Sequence, residues 1–275
     1  MGRLDYILST MKKTAPKMKV LVLFDGSGCV SKMARQMGYD VRTLDILPLE
    51  HIDLPIDIMQ FVPAMLGDWV PDMVWGSPPC ETYSCITRMK GGGNFYYQSI
   101  YDKTGKVAGV KPRINFSIDK RLKGHREKAT LKAAQHRGFV NKTVEIIQYY
   151  TAVNHGLIWF IENPATGCIR YILDGKIKGM VENKTTYCMY GTPYRKETSI
   201  FSNMKLELKY CPVHREGVVD LCGGHSDSLH QRNDHKAQAK GVVAKTTYLE
   251  RSHIPAKLCM DILHQGKKEF ETMPC

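Results

Sequence analysis

Residues 19–45 read KVLVLFDGSGCVSKMARQMGYDVRTLD, and this stretch decides the fold. Its first six residues are an apolar run of the length of a buried strand, closed by Asp25-Gly-Ser-Gly28. Helical periodicity follows from Val30 to Met37, and Gly38 is a helix stop. Tyr39 to Asp45 then predicts a second strand ending in an acid. Strand, Gly-rich turn, helix, strand, acid is the opening of a doubly wound, mostly parallel α/β sheet. Glycines in such a turn let the backbone approach a ligand, and the helix N-terminus behind it favours polar or anionic groups. Asp45 stands where a carboxylate accepts ribose hydroxyls. The turn reads Gly-x-Gly-x-x-Ser and lacks the third glycine of the dinucleotide fingerprint. Alone it fits a structural turn as well as a cofactor site. A nucleoside cofactor without a pyrophosphate suits it at least as well as a nicotinamide dinucleotide.

Working outward, Pro71 to Trp75 predicts a strand that runs into Gly76-Ser-Pro-Pro-Cys80. A thiol at the carboxyl end of a central strand stands where open α/β sheets place their sites, and the two prolines stiffen its approach. An isolated Cys is commonly inert packing; one after Pro-Pro in a polar turn reads better as a nucleophile. His136 to Asn154 has helical periodicity, and Leu157 to Ile161 is a buried strand ending at Glu162-Asn-Pro164. A carboxylate at that edge is partly desolvated and able to hold or donate a proton near neutrality. Thr185 to Tyr190 and Glu197 to Phe201 predict two further strands around a turn that presents Arg195 and Lys196. Residues 204–247 are polar and rich in His and Gly, and an amphipathic helix is expected over 254–264.

Composition bounds the rest. With 275 residues, 43% apolar and 24% charged, the chain is neither disordered nor fibrous. No stretch approaches the roughly 18–20 apolar residues of a membrane span, and no secretory signal is evident. Nine Cys, an odd number spread over a long chain, suit a reducing compartment better than a disulfide framework. The net charge of +12 points to a polyanionic partner. Fourteen Lys and Arg against three Asp and Glu lie in 88–142, so +11 of the +12 sits in one fifth of the chain. Aromatic residues are interleaved there (Phe95, Tyr96, Tyr97, Tyr101, Phe116), which favours a polyanion-contacting loop over a solvated insertion. Cys211-x-x-His214 and Cys222-x-x-His225 have a spacing that a structural zinc accepts; exposed His in a loop is the alternative.

Taken together and in order, these motifs resemble the DNA cytosine-5 methyltransferase family. Phe24, Gly26 and Gly28 match its Phe-x-Gly-x-Gly turn, and Pro79 and Cys80, followed by Ser84, its Pro-Cys motif. Glu162 and Asn163 match its Glu-Asn motif, Tyr190, Gly191 and Pro193 its Tyr-Gly-x-Pro turn, and 251–258 its closing cofactor motif. The likeness spans the chain except about 88–135 and 204–247. Five positions depart. Tyr194, Lys196 and Thr198 stand where the family has Gln-x-Arg-x-Arg, Ser252 replaces an Asn, and Glu81 replaces a Gln. The chain reads as a compact, divergent member.

The resemblance implies an S-adenosylmethionine-dependent methyltransferase fold. Its catalytic domain would span 1–203 with a basic insertion at about 88–135. A small target-recognition region at 204–247 and a returning C-terminal helix at 248–275 would follow. It implies methyl transfer to carbon 5 of cytosine in a flipped base, with Cys80 as nucleophile, Glu162 at ring nitrogen 3, and Asn163, Arg195 and Lys196 completing the catalytic set. Phe24, Gly26, Gly28, Asp45, Ile46, Asp57, Pro79 and Ser252 would hold S-adenosyl-L-methionine. Ser84, Arg88, Lys90, Arg113, Arg121 and Arg126 would contact nucleic acid. The implied partner is double-stranded DNA, with no obligatory protein partner, in an intracellular, DNA-associated setting. An RNA cytosine-5 methyltransferase of the same fold and a catalytically silent DNA-binding homologue are the alternatives; a dehydrogenase explains the first turn only.

Overall fold

A computed structural model of the chain describes residues 17–84, 96–112, 126–192, 196–211 and 253–272. In chain order it runs β1 (Lys19–Leu23), α1 (Cys29–Gln36), β2 (Asp40–Asp45), β3 (Leu54–Pro55), β4 (Met73–Gly76), β5 (Tyr97–Tyr101) and β6 (Val107–Pro112). It continues through α2 (Arg126–Val153), β7 (Ile158–Pro164), α3 (Ile169–Leu173), β8 (Val181–Thr186), β9 (Glu197–Ser202) and α4 (Ala256–Thr272). Seven strands form one sheet in the order β3-β2-β1-β4-β7-β9-β8, while β5 and β6 form a separate two-stranded ribbon. The pairs β1–β2, β1–β4, β2–β3 and β4–β7 are parallel, and β9 is antiparallel to both its neighbours. This is the mostly parallel, doubly wound α/β sheet expected from residues 19–45.

The strands are apolar without interruption because both faces of the sheet are covered. Val20, Val22, Met73, Trp75, Ile158 and Phe160 point to one face, where they meet Val30 and Met33 of α1 and Leu258, Ile262 and Leu263 of α4. Leu21, Leu23, Val74, Trp159 and Ile161 point to the other, against Val140, Val144 and Ile147 of α2. Helix α4 lies so close that a methyl at Gly266 would meet Met73 Cε at 2.6 Å and Phe160 Cζ at 3.1 Å.

The winding reverses between β1 and β4, so the crevice that open α/β sheets use for ligands falls at the carboxyl ends of these two strands. The Ser77 N–H donates to Leu23 O at 3.2 Å and closes that junction.

Bounds or element types differ from those expected for two helices, one strand and the basic insertion. The helix expected at 136–154 begins at Arg126, and α4 runs on to Thr272. The strand expected over 185–190 is β8 at Val181–Thr186 followed by a 3₁₀ turn at Tyr187–Tyr190, which ends where Gly191 takes φ +92°. The basic insertion is not loop throughout: 97–112 contains the β5–β6 ribbon, and 126–135 is helix. Residues 204–211, assigned above to the target-recognition region, run along β8 and α4. Leu206 N–H donates to Asn183 Oδ1, Glu207 N–H to Gln265 Oε1, and Thr185 Oγ1 to Lys209 O.

Replacing Gly266 by Val forces a branched side chain between α4 and the sheet. Overpacking of this kind costs about 1–3 kcal/mol, and a lowered midpoint in thermal unfolding with unchanged secondary structure checks it.

Candidate functional site

The first part of the site is the turn after β1. Phe24 and Gly28 both have positive φ (61° and 65°), and this kink turns the chain from strand into α1. Gly26 N–H donates to Asp45 Oδ2 at 2.8 Å, and Leu47 N–H donates to Asp45 Oδ1 at 2.9 Å. A Cβ at Gly26 would lie 3.1 Å from Asp45 Oδ2, so the glycine is needed for this approach. One carboxylate therefore latches the ends of β1 and β2 together. It retains acceptor capacity, because each oxygen carries two lone pairs. Beside it Ile46 is 65% exposed, an apolar side chain at a strand end. Asp57 caps a 3₁₀ turn at Ile58–Gln60 by accepting from Met59 N–H. A latched acceptor, a close backbone and an exposed aliphatic face suit a nucleoside with ribose hydroxyls, so the residues fit S-adenosylmethionine. A depression of about 520 Å³ beside the turn is lined by Ser27, Ser31, Lys32, Arg35 and His51. Gly28 of the turn also lines it, whereas Asp45 and Cys80 do not.

The second part is the loop after β4. Tyr83 N–H and Ser84 N–H both donate to Cys80 O (3.0 and 2.9 Å), which winds the thiol-bearing segment into a turn. Asn163, fully buried at the end of β7, donates from Nδ2 to Pro78 O at 2.9 Å. Cys168 N–H donates to Tyr83 O at 3.0 Å, and a Cβ on Gly167 would lie 3.0–3.1 Å from Pro164 O and Tyr83 O. From α2, His136 is hydrogen-bonded to the Thr82 hydroxyl (3.2 Å) and to the Pro79 backbone. Burial and the Lys132 ammonium push the His136 pKa down and keep the ring neutral. Lys132 also pairs with Glu81 at 2.6 Å, a partner for the carboxylate that replaces the expected Gln.

The third part is Glu162, 7% exposed, at the end of the central strand β7. Tyr187 O–H donates to its Oε1 at 3.0 Å. Lys196 Nζ lies 3.9 Å from the same oxygen, 3.4 Å from the Tyr187 hydroxyl and 4.6 Å from the centre of the Tyr187 ring. Tyr187 N–H donates to Lys196 O (3.0 Å), continuing the β8–β9 ladder by one step beyond Thr186 and Glu197. Burial pushes the Cys80 thiol up. The Lys196 ammonium opposes this, and the Glu162 and Glu81 carboxylates reinforce it. Thiol, carboxylate and ammonium therefore share one electrostatic neighbourhood.

The structure thus brings Phe24, Gly26, Gly28 and Asp45 together at one end of the edge, and Pro79, Cys80, Glu162, Asn163 and Lys196 at the other. Asn163 braces the Cys80 loop from a fully buried position. Arg195, Ser252, Arg88, Lys90, Arg113 and Arg121 lie outside the described residues, and Arg126 opens α2. Of the zinc candidates, His214, Cys222 and His225 also lie outside them. Cys211 is fully buried and its N–H donates to Thr186 Oγ1. Among the described residues no three His, Cys, Asp or Glu cluster as metal ligands, and no helix is long and apolar enough to cross a membrane. Sequence reasoning missed Tyr187 and His136. His136 carries no local signal, whereas Tyr187 follows from the β8–β9 register once that is known.

No protein-family model and no curated protein matches the chain. Among solved structures it is similar to a triple-substitution variant of DNMT2 from Spodoptera frugiperda. The identity is 15% over 74% of this chain and 57% of that one, with a TM-score of 0.40. The chain therefore spans less than two thirds of that protein's length.

Asp25, 2% exposed, has its pKa pushed up to about 6 by burial, partly offset by the Ser31 hydroxyl. The folded chain holds this proton more tightly than the unfolded one. The contribution is fully present below about pH 4 and is lost as pH rises through 6. Asp25→Asn is therefore expected to stabilise the fold at pH 8, by up to about 3 kcal/mol, and not at pH 4. Unfolding midpoints at the two pH values measure this.

Proposed function

We propose that the chain is an S-adenosylmethionine-dependent methyltransferase that acts on carbon 5 of cytosine in DNA. The observation that carries the reading is the convergence of Cys80, Glu162 and Lys196 at the carboxyl ends of β4 and β7 and the start of β9. A Gly-rich turn latched to Asp45 lies across the same sheet edge. Carbon 5 of cytosine is a poor nucleophile and needs help from two sides. The thiolate of Cys80 adds at carbon 6 while Glu162 holds a proton at ring nitrogen 3, and the ring becomes enamine-like at carbon 5. S-adenosylmethionine, when bound, supplies an electrophilic methyl group. Loss of the carbon 5 proton and expulsion of the Cys80 sulfur restore the aromatic ring.

Each neighbour has a part in this. Tyr187 donates to Oε1 of Glu162 and leaves Oε2 for the cytosine ring in this reading. Lys196 favours the thiolate of Cys80 and balances the charge that builds on the ring, in place of the Arg expected from the family pattern. Asp45 accepts from the ribose hydroxyls, and Ile46 lies against the adenine. Neither reacting carbon is reachable in a stacked duplex, so the base must be flipped out. Ser84, Arg88, Lys90, Arg113, Arg121 and Arg126 are the proposed contacts to the surrounding strands.

Duplex DNA carrying 5-fluorocytosine tests the reading, because fluorine cannot leave as the proton does and the adduct is trapped. A denaturation-resistant protein–DNA adduct that depends on S-adenosylmethionine is expected. An adduct on RNA and none on DNA overturns the DNA reading, and an adduct that survives in Cys80→Ser overturns the nucleophile. Lys196→Met removes the cation that lowers the Cys80 pKa. The rising limb of the pH–rate profile should then move to higher pH, and Lys196→Arg should move it back. Tyr187→Phe deletes one hydrogen bond, worth about 1 kcal/mol, and should lower kcat roughly fivefold with cofactor affinity unchanged.

A further inference from the structure

The ribbon formed by β5 and β6 is separate from the main sheet, and its Tyr97 and Val110 pack on the core that covers one face of that sheet. Its base is fixed at the site. Tyr97 is fully buried, its ring stacks on Tyr83 at 5.6 Å, and its hydroxyl donates to Ala133 O of α2. Tyr83 is three residues beyond Cys80 and hydrogen-bonds back to it. Gln98, Ile100 and Tyr101 are exposed (Ile100 43%, Tyr101 50%), while Val110 across from them is half-buried. Its turn is tightly made: Asp102 Oδ1 accepts from Thr104 N–H, Thr104 Oγ1 and Lys106 N–H, and Gly105 takes φ +78°. The ribbon's one acid is thus committed to its own turn, while Lys103, Lys106 and Lys111 are exposed cations. Five-residue strands rise about 17 Å, and the two strands lie about 5 Å apart.

We propose that this ribbon enters the major groove of B-form DNA beside the target cytosine, with Lys103, Lys106 and Lys111 on the phosphates and Gln98, Ile100 and Tyr101 toward base edges. The B-form major groove, about 12 Å wide, admits a two-stranded ribbon. The deep, narrow major groove of A-form RNA does not. Charge of one sign, exposed polar and aromatic groups, and an anchor three residues from the nucleophile all suit a duplex docked over the site. The proposal rests on the reading above for its choice of ligand, and not on turnover.

The test uses the full chain and two duplexes of equal length and mixed sequence, one DNA and one RNA, with binding followed by fluorescence anisotropy across a salt series. The variant is Lys103→Gln with Lys106→Gln and Lys111→Gln, whose side chains take no part in the turn's hydrogen bonds. For DNA the slope of log affinity against log salt should become shallower by about two to three, with affinity at about 0.1 M salt falling at least tenfold. RNA binding should change much less. An unchanged DNA slope, an equal loss on RNA, or no DNA binding by the parent chain overturns the proposal. Lysines on exposed strand edges also keep such edges from pairing; loss of solubility with an unchanged slope assigns them to that role and again overturns it. The assay reads no methyl transfer. A shallower slope without turnover leaves the ribbon standing and removes the catalytic reading, and turnover with an unchanged slope does the reverse.

Discussion

The hydrogen bond from Asn163 Nδ2 to Pro78 O is the constraint on which the site depends. Parallel strands bring their carboxyl ends to one edge, but they do not fix side chains that sit in the loops beyond. Cys80 is four residues past β4 and Glu162 lies within β7, so their separation is set by what ties the loop to the strand. Asn163 does this from a fully buried position, where losing the partner would leave a polar group unsatisfied at about 1–3 kcal/mol. The Cys168–Tyr83 backbone bond and the bare Cα of Gly167 repeat the tie four to five residues later. His136 adds a third anchor from the helix behind, and its depressed pKa keeps it neutral beside Lys132. Three anchors, from β7, the start of α3 and α2, hold one short loop, and the thiol inherits their rigidity.

Within that frame the chemistry turns on how one cation is shared. The thiolate of Cys80 is favoured by the Lys196 ammonium and disfavoured by the Glu162 carboxylate. Lys196 is the cation among the described residues that acts on both. Its position follows from register. Thr186 pairs with Glu197, so the next step places Tyr187 opposite Lys196, and the ammonium lies over the ring while the hydroxyl reaches Glu162. A flexible point charge suits this place, where it must face an aromatic ring, a carboxylate and a thiol in turn. A planar guanidinium is better matched to a single bidentate partner.

This dependence on register explains what could be read in advance. Residues 19–45 were legible because a sheet covered on both faces needs unbroken apolar strands, and because the turn between them needs Gly26 for close approach and Gly28 for positive φ. The stretch ending at Glu162 was legible for the same reason. Tyr187 was not, since residues 185–190 look like continuous strand until β8 is seen to end at Thr186. The β5–β6 ribbon was hidden because its strands carry Gln98, Gly109 and Lys111 and bury little, so alternation is faint. Helix α2 was seen only from His136 onward, where one face meets the core. Its first turns are basic and lack an apolar stripe.

Charge along the edge has a direction that the net figure of +12 conceals. At the β1–β2 end stand Asp25 on the turn, Asp45 at the end of β2 and Asp57 beyond β3, with Asp45 held by two backbone N–H groups. Beyond Cys80 the sign reverses, through Lys132 and Lys196 to the lysines of the ribbon. A sulfonium-bearing nucleoside and a polyphosphate strand carry opposite charges, and the proposed reaction must bring both within reach of one cytosine. A uniformly basic edge would repel the first, and a uniformly acidic one the second. Placing the carboxylates at or just beyond the ends of β1, β2 and β3 and the ammonium groups on the elements after β4 meets both demands. The thiol sits at the boundary, where neither field dominates and burial decides its resting protonation.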